Sequence, residues 1–587
     1  MKKIISLLLA LTLLVGCVAT LSSCGEEDSG AQIAVYLGNE VYDLDPSDYF
    51  VSDNAAQFMS LLFEPLFFLD EDGDLEMAAA EDYEIEEEKR EIRITLRESY
   101  WSDGNRVVPN DFVFAWERLL NPANANPAAA LLYDIEGALA VKTGEESSLY
   151  GASANNYGDG KTIVINYREN ADVDALLANL ASIATAPVRQ SVVESAPGTW
   201  SKSASSIATN GAFKLASYDV ESGEISLERN AGYRQPRDSK NFDKYVVPHK
   251  LVSFWSANET KLTLTYADIE AKTVFFLGDA TAEARKDAAL AEAAEAYDTL
   301  STFTLAFLSE KEIFADVNVR KAMSLSLNRA AIAEALVFAK AATGFLPETV
   351  KGENGKAFAP SKTISTAQDA SAALPAAAKG AKIKVALNND TDSKIIGALV
   401  ETAWENLGLV VEISYLDVKV STINDPSMGE ISYSDSYVQY LVKTAAEGGS
   451  VEYDVVGFDW QMYSADPIVG LASLGSVMNG NGAVFGNQDS VSLRSSLGVW
   501  TPAKQAEYDQ LLKAAYDAKD SATREAKLSA AAGLIAEDVP VIPVVFNQSF
   551  SVIGDDLSRV EVDYFGHFGF ARAKQKNYEK YLPAEEN

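Results

Sequence analysis

Nucleophiles, general bases and metal ligands are scarce in this chain of 587 residues. Its two histidines, His249 and His567, stand far apart with no cysteine or carboxylate at ligand spacing, which argues against a His-based metal site or a catalytic triad. The nucleophile-elbow pattern G-x-S-x-G and the phosphate-binding Walker A pattern are absent. Gly480-Asn481-Gly482 with Gly486 is glycine-rich, but it opens no expected helix and reads as a loop. Carboxylates are so common, 85 Asp and Glu in all, that no single acidic pair is informative. The inventory points away from catalysis, and no cofactor or metal is expected.

Charge and length narrow the class further. A net charge of −36 repels phosphate backbones, so nucleic acid is excluded as a partner. The length calls for two or three domains, each burying its own core. No internal run reaches the roughly 18 to 20 apolar residues of a spanning helix. The N-terminus is different: Lys2 and Lys3 precede an apolar stretch from Ile4 to Val15, the pattern of a secretory signal segment. Both cysteines lie there. Leu14-Val15-Gly16-Cys17 and Leu21-Ser22-Ser23-Cys24 each resemble a bacterial lipoprotein cleavage site, and plain secretion with a stray cysteine is the alternative. Cys24 is the preferred lipidation site, because cleavage there leaves the polar tether Gly25 to Gly30 rather than an apolar stub.

The elements follow from periodicity and capping residues. Asp316 is suited to cap one short helix and Asn328 a second, with Leu327 and Ile332 spaced as a hydrophobic staple between them. Strands are expected at Gln32 to Leu37, Glu91 to Leu96, Glu224 to Glu228, Thr302 to Phe307, Lys382 to Leu387, Val410 to Leu416 and Val544 to Phe546. Helices are expected at Ala55 to Phe67 until Pro65, at Asp111 to Leu120 capped by Asn110, at Ser393 to Leu407 and at Ala531 to Glu537. Asp279 to Tyr297 and Ala359 to Ala381 read as Ala-rich helical stretches, and Asn210-Gly211 carries a hairpin-type signal. Trp101 and Trp116 read as core aromatics.

Several of these segments carry a resemblance. Val317 to Leu336, Phe63-Glu64-Pro65-Leu66, Trp101-Ser102-Asp103-Gly104 with Asp111 to Leu120, Thr209 to Leu215 with Glu228-Arg229-Asn230, the unit from Ile383 to Ile413, and Pro540 to Pro543 resemble the extracytoplasmic binding proteins of peptide ABC importers. They occur in that family's order. The resemblance implies an α/β fold of two lobes, periplasmic-binding-protein-like and of class II type, with an extra subdomain in the first lobe. Residues 1–23 would be the lipoprotein signal peptide and 24–31 a tether. Residues 32–56, 207–302 and 545–587 would form lobe I, 57–206 the extra subdomain and 303–544 lobe II. Strands near Phe303 and Val544 are the expected crossings between lobes.

The same resemblance implies where a ligand sits. The segment Tyr453 to Pro467 is similar to the strand that pairs with the ligand peptide and carries an Asp for its free ammonium. This chain departs from that pattern. Aligned on Trp460 and Pro467, the anchoring position holds Tyr463, and Asp459 stands where a Gly precedes the Trp. The expected contacts on this wall are Phe458, Asp459, Trp460, Tyr463 and Asp466, either aspartate being able to supply the missing charge. Trp460 and Tyr463 as plain core aromatics are the alternative. The opposite wall is expected at Phe50, Val51, Ser52 and Asp53, with Phe303 and Thr304 beside the cleft. Expected partners are an oligopeptide, the permease and ATPase subunits of an importer, and the outer membrane leaflet reached by lipid on Cys24. A monomer is expected. A non-peptide solute, a sensor without transport and a secreted peptidase on the same scaffold are the rival readings.

Overall fold

In the computed structural model the chain is described over residues 29–582, apart from 39–42, 48–52, 125, 155–159, 220–222, 237–238, 256–261, 309–310, 353–354, 370–371, 426–428, 437, 439–440, 442–450, 477 and 479–498. It opens with strand β1 (Gln32–Tyr36) and helix α1 (Asp53–Leu62). Strands β2 (Ala80–Glu86), β3 (Glu91–Leu96), β4 (Ala152–Ala154) and β5 (Thr162–Asn166) then form a separate antiparallel sheet in the order β2-β3-β5-β4. Helix α2 (Pro109–Leu120) packs on β4, and α3 (Val173–Asn179) follows β5. Here Val108, not Asn110, is the N-cap. Its N–H donates to the Asp111 carboxylate at 2.9 Å, and Pro109 takes the first helical position, where a missing N–H costs nothing.

The chain next returns through β6 (Phe213–Asp219), β7 (Glu224–Arg229), β8 (Lys250–Phe254), β9 (Phe276–Leu277) and β10 (Glu295–Phe307). Asn210-Gly211 makes no hairpin. The Asn210 amide instead bonds the backbone of Glu64, and the β6 to β7 turn comes later. The helix pair α4 (Val317–Leu325) and α5 (Arg329–Leu336) has the caps that the sequence demands, Asp316 accepting from the Asn318 N–H and Asn328 from the Ala331 N–H. Then come β11 (Ala339–Ala341), β12 (Lys382–Asn388), α6 (Thr391–Leu407), β13 (Val410–Leu416) and β14 (Val455–Gln461). Helices α7 (Pro467–Ala472), α8 (Pro502–Tyr516) and α9 (Ser521–Asp538) precede the last long strand, β15 (Val541–Ile553).

Two of the helical expectations fail, each for its own reason. Ala359 to Ala381 has only a single turn at Ala376–Ala378, because Pro360 and Pro375 and the Ser and Thr between them remove or compete for helix hydrogen bonds. Asp279 to Tyr297 breaks into Ala282–Arg285 and Ala288–Ala293, and β10 begins at Glu295, earlier than alanine content suggested. Tertiary pairing overrides propensity there.

Eleven strands make the main sheet, in the order β13-β12-β14-β10-β15-β9-β1-β8-β7-β6, with β11 paired to β15 beside this path. β10 and β15 are each 13 residues long and lie at its centre. Their antiparallel pairing has two irregularities. Between Asp298↔Gln548 and Thr302↔Phe546 three residues of β10 face the single residue Asn547. Between Phe303↔Val545 and Thr304↔Pro543 the extra residue is Val544, next to a proline that has no N–H for the ladder. Pro543 thus lies inside the return strand instead of breaking the chain before it.

Helices α4, α5 and α6 cover one face of this sheet, burying Met323, Leu327, Ile332, Ile396, Val400 and Trp404 against Leu305, Val385, Val455 and Ile542. Buried cations fasten them. Arg329, fully buried, donates from Nε to Pro543 O at 2.8 Å and from Nη1 and Nη2 to Ser324 O and Oγ at 2.9 and 2.8 Å. Burial lowers its guanidinium to about 10, so it is still charged at neutral pH. Arg320 likewise holds the end of α9 through Asp538 O and the Asp538 carboxylate, at 2.7 and 2.8 Å. No carboxylate is among the bonds made by Arg329, so its charge is compensated by oriented carbonyls. Arg329→Lys replaces a planar fork by one ammonium that cannot reach both Pro543 and Ser324. It is expected to lower stability by about 2 kcal/mol, measured by urea unfolding, with secondary structure retained below the transition.

Candidate functional site

The site is built where β14 leaves the sheet. β14 pairs with β10 along its whole length, from Phe307↔Val455 to Ser301↔Gln461, but with β12 only at Val455 and Val456. Among the described residues no strand continues along that second edge. Leu308 N–H donates to Asp454 O, and Met462 N–H to Leu300 O, so the bonded pairs fall on even-numbered residues of β14. The peptide groups of Gly457, Asp459 and Gln461 therefore point away from β10; the Gly457 N–H falls within the β12 ladder through the Ala386↔Val456 pair, and past it, at Asp459 and Gln461, no described strand pairs with that edge. Gly457 also packs closely: a Cβ there would lie 2.4 Å from Leu387 Cδ2 and 2.9 Å from Phe303 Cζ.

Strand alternation sorts the expected contacts by face. Phe458 and Trp460 lie opposite Thr304 and Thr302 on one face. Their rings stack with centroids 5.1 Å apart, and Phe345 meets Trp460 edge-on at the same distance. Thr302 Oγ1 donates to Phe345 O at 2.9 Å, holding that ring in place, while Thr304 Oγ1 donates to Thr302 O. Phe303 and Asp459 lie on the opposite face. Phe303 is buried among Leu305, Val385, Leu387 and Val455, so it belongs to the helix-covered core and not beside Trp460. Asp459 accepts from Asn547 Nδ2 at 2.6 Å, and the same amide donates to Ser301 Oγ at 2.8 Å. Thr299 Oγ1 donates to Asn547 O at 2.9 Å. These groups fill the irregularity between β10 and β15.

Beyond β14 the chain turns sharply. Tyr463 is buried with φ 61°, a left-handed conformation costing roughly 1 kcal/mol for a side chain of this size. Asp466 caps α7, accepting from the Ile468 N–H at 3.2 Å, and both its oxygens accept from Arg524 Nη2 at 2.7 Å. Burial alone would lower the Arg524 guanidinium, but the Asp466 charge beside it raises it above its ordinary value. Asp466 is thus neutralised within the fold and does not offer its charge to a ligand. Phe50, Val51 and Ser52 lie outside the described residues; Asp53 is the first residue of α1. The segment leading to them is well fastened, Asp45 accepting from Arg118 at 2.6 and 3.1 Å and from Trp200 Nε1 at 3.2 Å. Trp101 and Trp116 are core, as expected, bonded to Asp111 and Thr185 O. Cys17, Cys24 and the loop at Gly480 to Gly486 lie outside the described residues.

Phe345, Asn547 and Arg524 escaped the sequence reading. Each reaches the site from far along the chain, and none stands in a local pattern. Among the described residues no three His, Cys, Asp or Glu side chains converge as a metal would need.

Two lobes' worth of sheet joined through two long central strands, with an uncovered strand edge beside them, define a two-lobed solute-binding protein. The family profile "Bacterial extracellular solute-binding proteins, family 5 Middle" matches residues 74–481, and the chain belongs to that family. It is a solute-binding protein and not an enzyme. It is 25% identical to the oligopeptide-binding protein OppA of Bacillus subtilis, over 98% of this chain and 99% of the relative. Its fold matches Haemophilus influenzae OppA in complex with RPPGFSPFR at a TM-score of 0.70 and 20% identity, covering 93% of this chain and 99% of the other. The murein tripeptide binding protein MppA of Escherichia coli gives 0.72 and 22% identity over 93% and 99%. The unliganded open form of MppA gives 0.55 and 21% over 93% and 98%.

Asp466→Asn preserves the helix cap but strands the Arg524 cation. It is expected to cost about 3 kcal/mol of stability in urea unfolding.

Proposed function

We propose that the protein captures oligopeptides in extended form outside the cell membrane, closes two lobes over them and delivers them to the permease of an ABC importer. One observation carries this: past Gly457, β14 has an edge facing away from β10 that no described strand covers. An extended ligand completes such an edge through main-chain bonds, which give affinity without demanding a particular sequence. Phe458, Trp460 and Phe345 offer apolar surface for its side chains. The relatives named for oligopeptide and murein tripeptide binding favour the same ligand class.

In this reading lobe I comprises residues 32–56, 207–302 and 545–587, with 57–206 as its extra subdomain. Lobe II is 303–544, and β10 and β15 are the crossing strands. Phe50 to Asp53 would form the facing wall. Residues 1–23 act as signal peptide, and lipid on Cys24 holds the monomeric protein to the outer leaflet. Diacyl attachment supplies the two chains that stable anchoring needs. Cys24→Ser is expected to move the protein from the membrane fraction to the soluble one and to abolish incorporation of labelled palmitate. Palmitate incorporation that survives in this variant but disappears with Cys17→Ser would move the anchor to Cys17.

Tyr463 at the anchoring position, with Asp466 held by Arg524, also favours a ligand that needs no carboxylate for a free ammonium. The purified chain from residue 25 onward, offered a peptide library and its N-acetylated counterpart in native mass spectrometry, should retain both equally. Loss of the acetylated set alone would show that an ammonium is still read, with Asp459 the residue to substitute next. Retention of neither would move the ligand to a non-peptide solute.

A further inference from the structure

Beyond the end of β14, the compact unit around β2 to β5 meets the α7–α9 side of the molecule, and the polar contacts between them have an unusual division of partners. Each side carries an arginine paired with its own carboxylate. Arg168, after β5, holds Asp134, and Arg524, on α9, holds Asp466. Each cation is also shared across the boundary. The Arg168 guanidinium lies 3.7 Å from the ring centre of Tyr516 on α8, and Arg524 Nη1 is 4.0 Å from Asp172 at the start of α3. Tyr516 OH donates to Tyr133 O at 3.0 Å, and Ser464 Oγ donates to Asn179 Oδ1. Burial pushes the Tyr516 phenol up to about 12, so it remains a neutral donor.

Arg168 Nε and Arg524 Nε are both buried with no hydrogen-bond partner, a cost that separating the two sides would relieve. Separation would leave neither arginine without a counter-charge, since Asp134 and Asp466 go with them. What would be lost is the shared part: the cation over Tyr516, the Arg524 to Asp172 attraction, the hydrogen bonds at Tyr133 and Asn179, and the packing of α7 against the turn Pro127–Leu132. The arrangement of the chain is also nearer to the MppA structure at 0.72 than to its unliganded open form at 0.55.

We propose that Arg168, Tyr516, Arg524 and Asp172 form a reversible closure lock, which sets ligand affinity by fixing how much of the protein is closed. The proposal rests on the binding reading above. A ligand that binds only the closed form has its apparent affinity reduced by the closed fraction, so the lock tunes affinity for every ligand by one common factor.

Asp172→Asn keeps the cap on α3, where Asp172 accepts from the Ala175 N–H, but removes the charge facing Arg524. Tyr516→Leu keeps an apolar side chain but removes both the ring under Arg168 and the bond to Tyr133. The chain from residue 25 onward contains no cysteine, so Glu84→Cys and Lys513→Cys, exposed on the two sides, label it cleanly for single-molecule energy transfer. The peptide library serves as probe, at the concentration that half-closes the parent. Each substitution is expected to lower the ratio of closed to open molecules about fivefold, and the two together by more, with unfolding midpoints near the parent's. Unchanged closed fractions in both variants would overturn the lock, and so would a parent that never shows the short distance with or without the library. A parent that closes alone but ignores the library, with variants that open it, would uphold the lock and sink the peptide reading.

Discussion

The antiparallel pairing of β10 with β15 is the constraint on which the remaining structure depends. Every strand of the main sheet is attached, directly or through neighbours, to one of these two. Their pairing is regular at both ends and interrupted between Asp298 and Thr302, where Asn547 alone answers three residues. A ladder interrupted in this way keeps two sheet halves connected while removing the hydrogen bonds that would make them one rigid plate. The Asn547 amide restores part of what was lost, but with side-chain bonds to Ser301 and Asp459, which bend more readily than a ladder. Since Asp459 belongs to β14, the uncovered strand edge and the interruption share a hydrogen bond.

The residues by which the family is recognised mostly fasten this frame. Glu64 of the Phe-Glu-Pro-Leu run accepts from Tyr233 OH at 2.6 Å and Arg234 Nε at 2.7 Å, beside the Asn210 amide on its own backbone. Arg229 and Asn230 tie the end of β7 to the carbonyls of Val246, Tyr100 and Gly211. Arg329 and Arg320 hook the helix pair onto the end of α9 and the start of β15. Such groups are buried, and a buried polar group is tolerated only where geometry satisfies it, so their positions admit few alternatives. Ligand contact through main-chain groups makes no comparable demand on residue type. This is why the fold was easier to recognise than the ligand.

That contrast also explains what could be read in advance. Caps and periodicity located α4, α5, α6, β3, β12 and β13 closely, because Asp316, Asn328 and Gly408 act within a few residues; Gly408 ends α6 at φ 100°. The core roles of Trp101 and Trp116 were legible for the same reason. Phe458, Asp459 and Trp460 were placed on one strand but read as one wall, although Asp459 faces the other way, and Phe303 was assigned to the wrong side of β10, because register across strands is not written in either strand alone. Asp466 was read as a free charge because Arg524 lies 58 residues away, beyond any local pattern. Alanine content misled in both stretches where strand pairing or prolines decided the outcome.

The uncovered edge of β14 has one further implication, concerning copies of the protein itself. A strand edge that accepts any extended chain does not discriminate between a ligand and the frayed strand of a neighbour, which is how edge-to-edge aggregation begins. In the proposed reading the edge cannot be blunted by proline or lysine without losing its use. Insulation must come from elsewhere. With a net charge of −36, two copies repel one another on average, whereas a short peptide carries too little charge to be turned away. On the proposed binding mode, acidity keeps a sticky surface available to small guests and closed to large ones.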